Sequence, residues 1–402
     1  MRPFTSTISL DEARARLTAA VRPIARRDTV PLAAAAGRVT AADILSSIDV
    51  PAFARSSMDG YAVIATDTAG ASSESPRVLR IAERIYTGAP PVNAVTRGAC
   101  AEIATGAPLP AGADAVVIVE DTSPAPDDRV EVRRSVTAGQ NVGRRGADIA
   151  AGEMAVRAGE LLTPGRIGAI GAIGRATVEV FAKPRVAVLS TGNEIVAPGQ
   201  PLPPGHVFDV NRFTLAALVE AHGGIAEPRE PVGDSVDALR RALDACADAD
   251  IIVFSGGSSV GDRDLTVDAI AARGEMIFHG VAIRPGKPTA FATVDGKPFF
   301  GMPGNPSSCL SQAYLLLVPF VRAAARLPPY QPRTVRAPLG QRIESKTGRH
   351  QICTVRLADG VAMPAFKGSG DITSLSRADG YIEITADTAV IDKGTLVDVT
   401  LF

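Results

Sequence analysis

Between Pro184 and Arg326 the chain alternates short apolar runs with segments of helical length, and this alternation restricts the fold more than any other feature. RVAVLSTGNE reads as a buried strand followed by a polar loop. NRFTLAALVEAHGG reads as a helix capped by Asn211 and stopped by Gly223 and Gly224. SVDALRRALDACADA is a second helix, capped by Ser235. DIIVFSGGSSVGDRD runs an apolar strand, Ile251 to Phe254, into a loop of Ser and Gly, and a third helix is expected from Leu265 to Arg273. KPFFGMPGNPSSCLSQAYLLLVPFVRAAAR adds a strand, a Pro-Gly loop and a long helix. Strands alternating with helices predict a doubly wound α/β domain.

The flanking regions follow other patterns. SLDEARARL places Ser9 three residues before Glu12, a capping-box signal for a helix that Pro23 limits. From Val30 to Val180 short strand-like runs are broken by Gly, Pro and Asp, which predicts a β-rich portion. Within it, TPGRIGAIGAIG (163–174) is expected to form a small-residue helix that packs closely. LPPYQPR is a Pro-rich linker, and the final segment of about 70 residues is strand-like again. A chain of 402 residues suggests roughly two to four domains.

Composition narrows the function classes. A formal charge of −1 gives no field that points to nucleic acid or a membrane surface. Trp is absent and aromatics are scarce, which argues against base-stacking platforms. No apolar run approaches the roughly 20 residues needed to span a bilayer. The N-terminus lacks the apolar core of a signal peptide, so a cytoplasmic location is expected. Cys100, Cys246, Cys309 and Cys353 lie far apart and form no metal or redox spacing; buried thiols are expected. The four histidines form no ligand pair.

In open α/β sheets ligands sit beyond the carboxyl ends of the strands. Three loops leave such ends here: 190–194, 255–264 and 301–308. The Gly loop, with Gly256, Gly257, Ser258, Ser259 and Gly261, lets backbone N–H groups approach an oxyanion. It ends in Asp262 and Asp264, and two carboxylates beside an anion make sense with a bridging cation such as Mg²⁺. The same spacing also fits a plain strand–helix turn with Asp262 as N-cap. Glu194 and Asp234 add two carboxylates, as metal ligands or as solvated caps. Arg284 and Lys287 flank a Pro-Gly turn and offer a planar fork and a point charge. SSMDGYA, TGAPLPAGADAVV and RRGADI carry Asp59, Thr105 and Asp148, each as readily a turn as a site. Ser-His-Asp and reactive-Cys patterns are absent, as are the Walker and dinucleotide fingerprints.

Taken in order, SSMDGYA, TGAPLPAGADAVV, RRGADI, LSTGNEI, SGGSSVGDRD, IRPGKP, GMPGNPSS and the GR and SLSR segments resemble the molybdopterin molybdenumtransferase family, MoeA and the gephyrin E domain. The resemblance covers nearly the whole chain. It implies a multidomain α/β plus β fold: a doubly wound molybdopterin-binding α/β domain, a β-rich N-terminal region in two discontinuous domains and a small C-terminal β-barrel-like domain. The implied boundaries are 1–26, 46–53 and 147–182 for a dimerisation and linking domain, 27–45 and 54–146 for a β-rich lid, 183–327 for the α/β domain and 328–402 for the last. The implied reaction inserts molybdenum from molybdate into adenylylated molybdopterin with Mg²⁺-dependent release of AMP. A homodimer is implied, with a transient contact to the molybdopterin adenylyltransferase and a cleft formed by α/β and β-rich portions of different subunits.

Carried onto this chain, Glu194, Asp234 and Asp264 match the acidic positions near the metal and nucleotide phosphates, and Asp262 stays a metal candidate from its place in the loop. The Gly loop with Pro303, Gly304 and Pro306 matches the pterin-nucleotide loops. Arg284, Lys287, Ser308, Arg349 and Ser374 match the molybdate pocket, and Asp59, Thr105 and Asp148 match positions supplied across the dimer. Three positions depart from the pattern: Gly280 replaces a basic residue, Asn193 a frequent Asp, and Arg284 a common Lys. Two rival readings share the superfamily, a nucleotide pyrophosphatase and a non-catalytic gephyrin-like scaffold.

Overall fold

The computed structural model describes residues 7–256 and 265–402. The chain divides into two compact units, one of Met1–Asp28, Gly37–Val39 and Val180–Phe402, the other of Thr29–Ala36 and Thr40–Glu179. The first helix, α1 (Leu10–Ala20), belongs to the former. Ser9 Oγ accepts the Glu12 N–H at 3.1 Å, as the capping signal predicts. The reciprocal half of the box does not form, because the Glu12 carboxylate pairs with Arg16 one turn on. Leu10, Ala13 and Leu17, spaced to share one helix face, are buried against the α/β core.

The second unit is built on one mixed sheet. Its strands are β1 (Gly60–Val63), β2 (Arg77–Ile85), β3 (Ala99–Ile103), β4 (Ala115–Ile118), β5 (Thr122–Ala125) and β6 (Arg129–Val132), in the order β4-β1-β3-β2-β6-β5. Successive residues point to opposite faces, and both faces are covered. Val63, Cys100, Val117 and Val130 enter one cluster; their neighbours Ala62, Ala101 and Val116 enter another. This double burial explains why the strands read as apolar runs rather than strict alternation. Helix α2 (Pro164–Ala172) forms where the small-residue segment predicts, with Thr163 as N-cap and Pro164 in the first turn. The helix packs through Ile170, which is fully buried, rather than through its glycines. Added side chains at Gly165 and Gly168 would meet open space, and only Gly171 has a neighbour, Leu32.

In the first unit the expected alternation appears, with further strands at Ile225–Pro228, Gly274–His279 and Ala290–Val294 that the sequence pattern does not give. It comprises β7 (Arg185–Thr191), α3 (Asn211–Ala221), β8 (Ile225–Pro228), α4 (Val236–Asp244), β9 (Ile251–Gly256), α5 (Leu265–Ala271), β10 (Gly274–His279), β11 (Ile283–Arg284), β12 (Ala290–Val294) and β13 (Lys297–Met302). The sheet order is β8-β7-β9-β13-β12-β10. The first four strands are parallel, whereas β12 and β10 return antiparallel through hairpin pairing. Chain order reverses at β7, so the gap between the carboxyl ends of β7 and β9 is a topological switch point. Helix α3 covers one face with Leu215, Leu218 and Val219; α4 and α5 cover the other with Leu239, Leu243 and Ile270. Full burial of each such side chain contributes about 1.5–3 kcal/mol.

The predicted long helix is interrupted. It runs as α6 (Pro306–Gln312), a π-turn at Ala313–Leu317 and α7 (Val318–Ala324), the last carrying Pro319 in its first turn. Proline offers no N–H to a regular helix ladder, which suits a break at this point. The final region contributes β14 (Thr334–Pro338), β15 (His350–Ala358), β16 (Val361–Pro364), α8 (Thr373–Ser376), β17 (Gly380–Ile384) and β18 (Leu396–Leu401). Its sheet has the order β11-β15-β17-β18-β14, with β16 on β15. One edge strand, β11, is thus lent by the loop that holds Arg284. No helix among the described residues is long and apolar enough to cross a membrane.

Candidate functional site

The switch point gathers three loops of the first unit. Strand pairing sets Ser190 beside Ser255 and Thr191 beside Gly256. Gly256 has φ +93°, and a side chain there would strike the Thr191 carbonyl. Gly304 closes from the third loop, where an added Cβ would lie 3.3 Å from Gly256 Cα. Glycine at 256 is therefore a requirement of close approach.

Glu194 and Asp234 meet at this edge. Thr191 bridges Val232, and the Gly192 N–H donates to the Val232 carbonyl, which lays the two loops side by side. The Asn193 side chain then accepts the Asp234 N–H at 3.0 Å. Burial and the neighbouring charge of Glu194 hold the Asp234 carboxyl above its ordinary value. A half-buried carboxylate facing a second one is a natural pair for a divalent cation with oxygen ligands. Asn193 brings no charge to this pair; it fixes the loop that carries Asp234. Among the described residues no group of three or more His, Cys, Asp or Glu is arranged to hold a metal ion. Gly257, Ser258, Ser259, Gly261, Asp262 and Asp264 lie outside the described residues.

A buried polar network lies beneath this edge. Sequence reasoning took Asn211 for the cap of α3, but Asn211 is the first helical residue, and its Nδ2 donates to the Gly304 carbonyl at 2.8 Å. Asp209 does the capping, accepting the Arg212 N–H at 3.2 Å. The same carboxylate accepts the Ser190 hydroxyl at 2.7 Å and faces Arg212 Nε at 3.2 Å. Asp209 and Arg212 are both buried. Nothing in VFDVNRF announces this, because a charge before a helix is more often a solvated cap.

On the other side of the third loop the cationic residues converge. Parallel pairing sets Ile283 beside His350 and Arg284 beside Gln351, so Arg349 enters its strand at the level of Ala282, two residues along from Arg284. Both arginines are exposed, and neither has a carboxylate partner among the described residues. Lys287 is half-buried at the end of the same turn. Buried Gln312 supports that turn: its Nε2 donates to the Pro285 carbonyl at 2.9 Å, and its amide lies against Gly286 (φ +104°). Ser308 is four residues before Gln312 and so shares its helix face. Pro303 is buried, and Pro306 occupies the first turn of α6. Ser307 Oγ contacts the carbonyls of Gly368, Ser369 and Asp371, which ties α6 to the loop before α8. Ser374 is fully buried, its Oγ accepting the Lys367 N–H at 3.0 Å. Gly280 keeps a backbone role: at φ +101° its carbonyl accepts from Ile8.

In the second unit, Asp59 accepts the Thr105 N–H at 2.7 Å and its hydroxyl at 3.0 Å, which holds the carboxyl below its ordinary value. Asp148 is exposed. Val142–Gly143 pairs with Arg55–Ser56, so the loop carrying Asp148 leaves beside the one leading to Asp59. All four cysteines are buried free thiols, with Cys100 pushed up to about 12 and Cys353 to about 11 by burial. Such thiols are inert.

Comparisons with known proteins agree in extent and order. Residues 8–174 match the MoeA N-terminal region (domain I and II), 187–323 the probable molybdopterin binding domain, and 336–402 the MoeA C-terminal region (domain IV). The chain is 36% identical over 396 residues to molybdopterin molybdenumtransferase 2 of Mycobacterium tuberculosis, covering 96% of each. It is 33% identical over 315 residues to the molybdopterin molybdenumtransferase of Haemophilus influenzae, covering 78% of this chain and 77% of that one. A crystal structure of the molybdopterin biosynthesis MoeA protein from Pyrococcus horikosii superimposes with a TM-score of 0.84 at 37% identity, covering 98% of this chain and 99% of the other.

Proposed function

The chain belongs to the MoeA family of molybdopterin molybdenumtransferases, enzymes of molybdenum cofactor biosynthesis, and we propose that it moves molybdenum from molybdate into adenylylated molybdopterin with Mg²⁺-dependent release of AMP. One observation carries this reading. The loop at 303–308 touches Gly256 at the acidic edge and leads through α6 to Gln312, beneath the turn that holds Arg284. An anhydride site and an oxyanion site are thereby linked by a single short element.

Mg²⁺, when bound, supplies positive charge to the phosphates as the anhydride breaks. Glu194 and Asp234 fit it as oxygen donors, and Asp262 and Asp264 are assigned to it from sequence. Of these, Asp264 is the candidate for promoting anhydride cleavage. The Gly loop, with Pro303, Gly304 and Pro306, holds the pterin nucleotide. Arg284 and Arg349 offer fork donors to a tetrahedral dianion, Lys287 a point charge, and Ser308 a hydroxyl. Ser374 holds the adjoining loop through Lys367 and keeps its own proton for an acceptor. Asp59, Thr105 and Asp148 are assigned to the same reaction from their motifs.

The working form is a homodimer. Leu45 and Met154, in register across a short strand pair, are both exposed, as is Ile48 nearby in sequence. Grouped exposed apolar side chains mark an interaction surface.

The molybdate assignment has its own test. Arg349→Ala should leave the KM for adenylylated molybdopterin within about twofold while raising the molybdate concentration for half-maximal turnover by about tenfold or more, the loss expected for a charge-assisted contact. An unchanged molybdate dependence would remove Arg349 from the pocket.

A further inference from the structure

We infer that Asp209 and Arg212, acting through Ser190 and Ser255, are positioning residues that set the spacing of Glu194 and Asp234. The inference rests on the proposed role of that carboxylate pair. Ser190 and Ser255 are the residues before Thr191 and Gly256 on the paired strands β7 and β9, and both are buried. Ser190 Oγ lies 2.7 Å from Asp209 Oδ1 and 3.2 Å from Ser255 Oγ. A serine hydroxyl has one proton, and Ser190 donates it in the hydrogen bond to Asp209 Oδ1. Ser255 is therefore the donor in the second contact, and the chain runs Ser255 to Ser190 to Asp209 in one direction.

Arg212 extends the network to the second loop. Its guanidinium donates to the Arg229 carbonyl at 2.7 Å and meets the Glu230 carboxylate at 3.1 Å. Arg229 and Glu230 end the segment that continues to Val232, the partner of Thr191, and to Asp234. One buried ion pair thus grips the roots of both loops that carry the acidic pair.

The network does not look optimised for stability. Asp209 Oδ2 and Arg212 Nε face each other at 3.2 Å without the alignment of a hydrogen bond, and Asn211 Oδ1 is buried without a partner. Buried ion pairs are weak sources of stability, and unsatisfied buried atoms are costly. A well-packed apolar corner would hold β7 and β9 together at lower cost. What the ion pair adds is a fixed direction and separation for the loops above it. Groups behind metal-ligating residues act in this way, and their loss typically costs about 10–100-fold in metal affinity or activity.

Removing Asp209 leaves buried Arg212 with only the exposed Glu230 carboxylate as counter-charge, so that variant risks failing to fold. Ser190→Ala is the milder probe and Arg212→Lys the second, since Lys keeps the charge and loses the fork. Mg²⁺ titration of the full chain by calorimetry, alongside AMP release, reads the device. Ser190→Ala is expected to weaken Mg²⁺ binding about tenfold and lower kcat about as much, with KM for adenylylated molybdopterin within about twofold. Arg212→Lys should do the same with a native far-UV spectrum. A lowered Tm with unchanged Mg²⁺ affinity and unchanged kcat in both variants would overturn the inference. Were the parent chain to release no AMP, the proposed reaction would fail while the Mg²⁺ titration still decided the positioning role.

Discussion

At the scale of single residues, the acidic pair is where stability and function oppose each other. Asp234 has its carboxyl raised by burial and by Glu194. A carboxyl raised on folding binds its proton more tightly in the folded state, so the fold is weakened at neutral pH and regains that stability as pH falls through the raised value. Glu194→Gln removes the neighbouring charge. The metal-free variant should therefore melt slightly higher than the parent at pH 7, and the difference should close as pH falls towards about 4, where carboxyls take up protons in either state. AMP release by the same variant should fall at least about tenfold, the loss of one metal-assisting group. A variant that is neither more stable at pH 7 nor slower would show that the two carboxylates do not act as a pair. Glu194 was legible from sequence as a candidate because its loop follows a predicted strand, and Asp234 because it lies in the loop before the helix that Ser235 caps. Their partnership was not, since it depends on the Thr191–Val232 bridge and on Asn193 accepting from Asp234.

At the scale of elements, local chemistry was readable where a residue acts on its own neighbours. Ser9, Thr163 and Ser235 each cap the helix that follows, as short-range rules require. Asn211 broke the same rule, because a tertiary partner, the Gly304 carbonyl, claims its side chain and leaves the cap to Asp209. The strand at Ile283–Arg284 was likewise beyond sequence reading. Two residues carry no period, and only pairing with β15 makes them a strand. That pairing is also what brings Arg284 and Arg349, 65 residues apart in the chain, onto neighbouring strands. The long helix after the Pro-Gly loop was expected, but its π-turn was not, although Pro319 was there to suggest a break.

At the scale of the whole molecule, the order of motifs predicted the family and the fold class more securely than any one loop did. A homodimer remains the account's claim about assembly, and Leu45 tests it. Leu45→Asp at an exposed position should change the monomer's own stability by no more than about 0.5 kcal/mol. It should nevertheless shift the sedimentation profile from dimer to monomer, because a charge would be buried without a partner. An unshifted profile would place the interface elsewhere. The central claim concerns chemistry, and AMP release from adenylylated molybdopterin by the purified chain tests it most directly, measured with Mg²⁺ and molybdate each withheld in turn. The account predicts release that requires both, with active molybdenum cofactor as the other product. Release that proceeds without molybdate would make the chain a hydrolase of the nucleotide anhydride, and tight binding with no release would make it a carrier or scaffold; either would contradict the account.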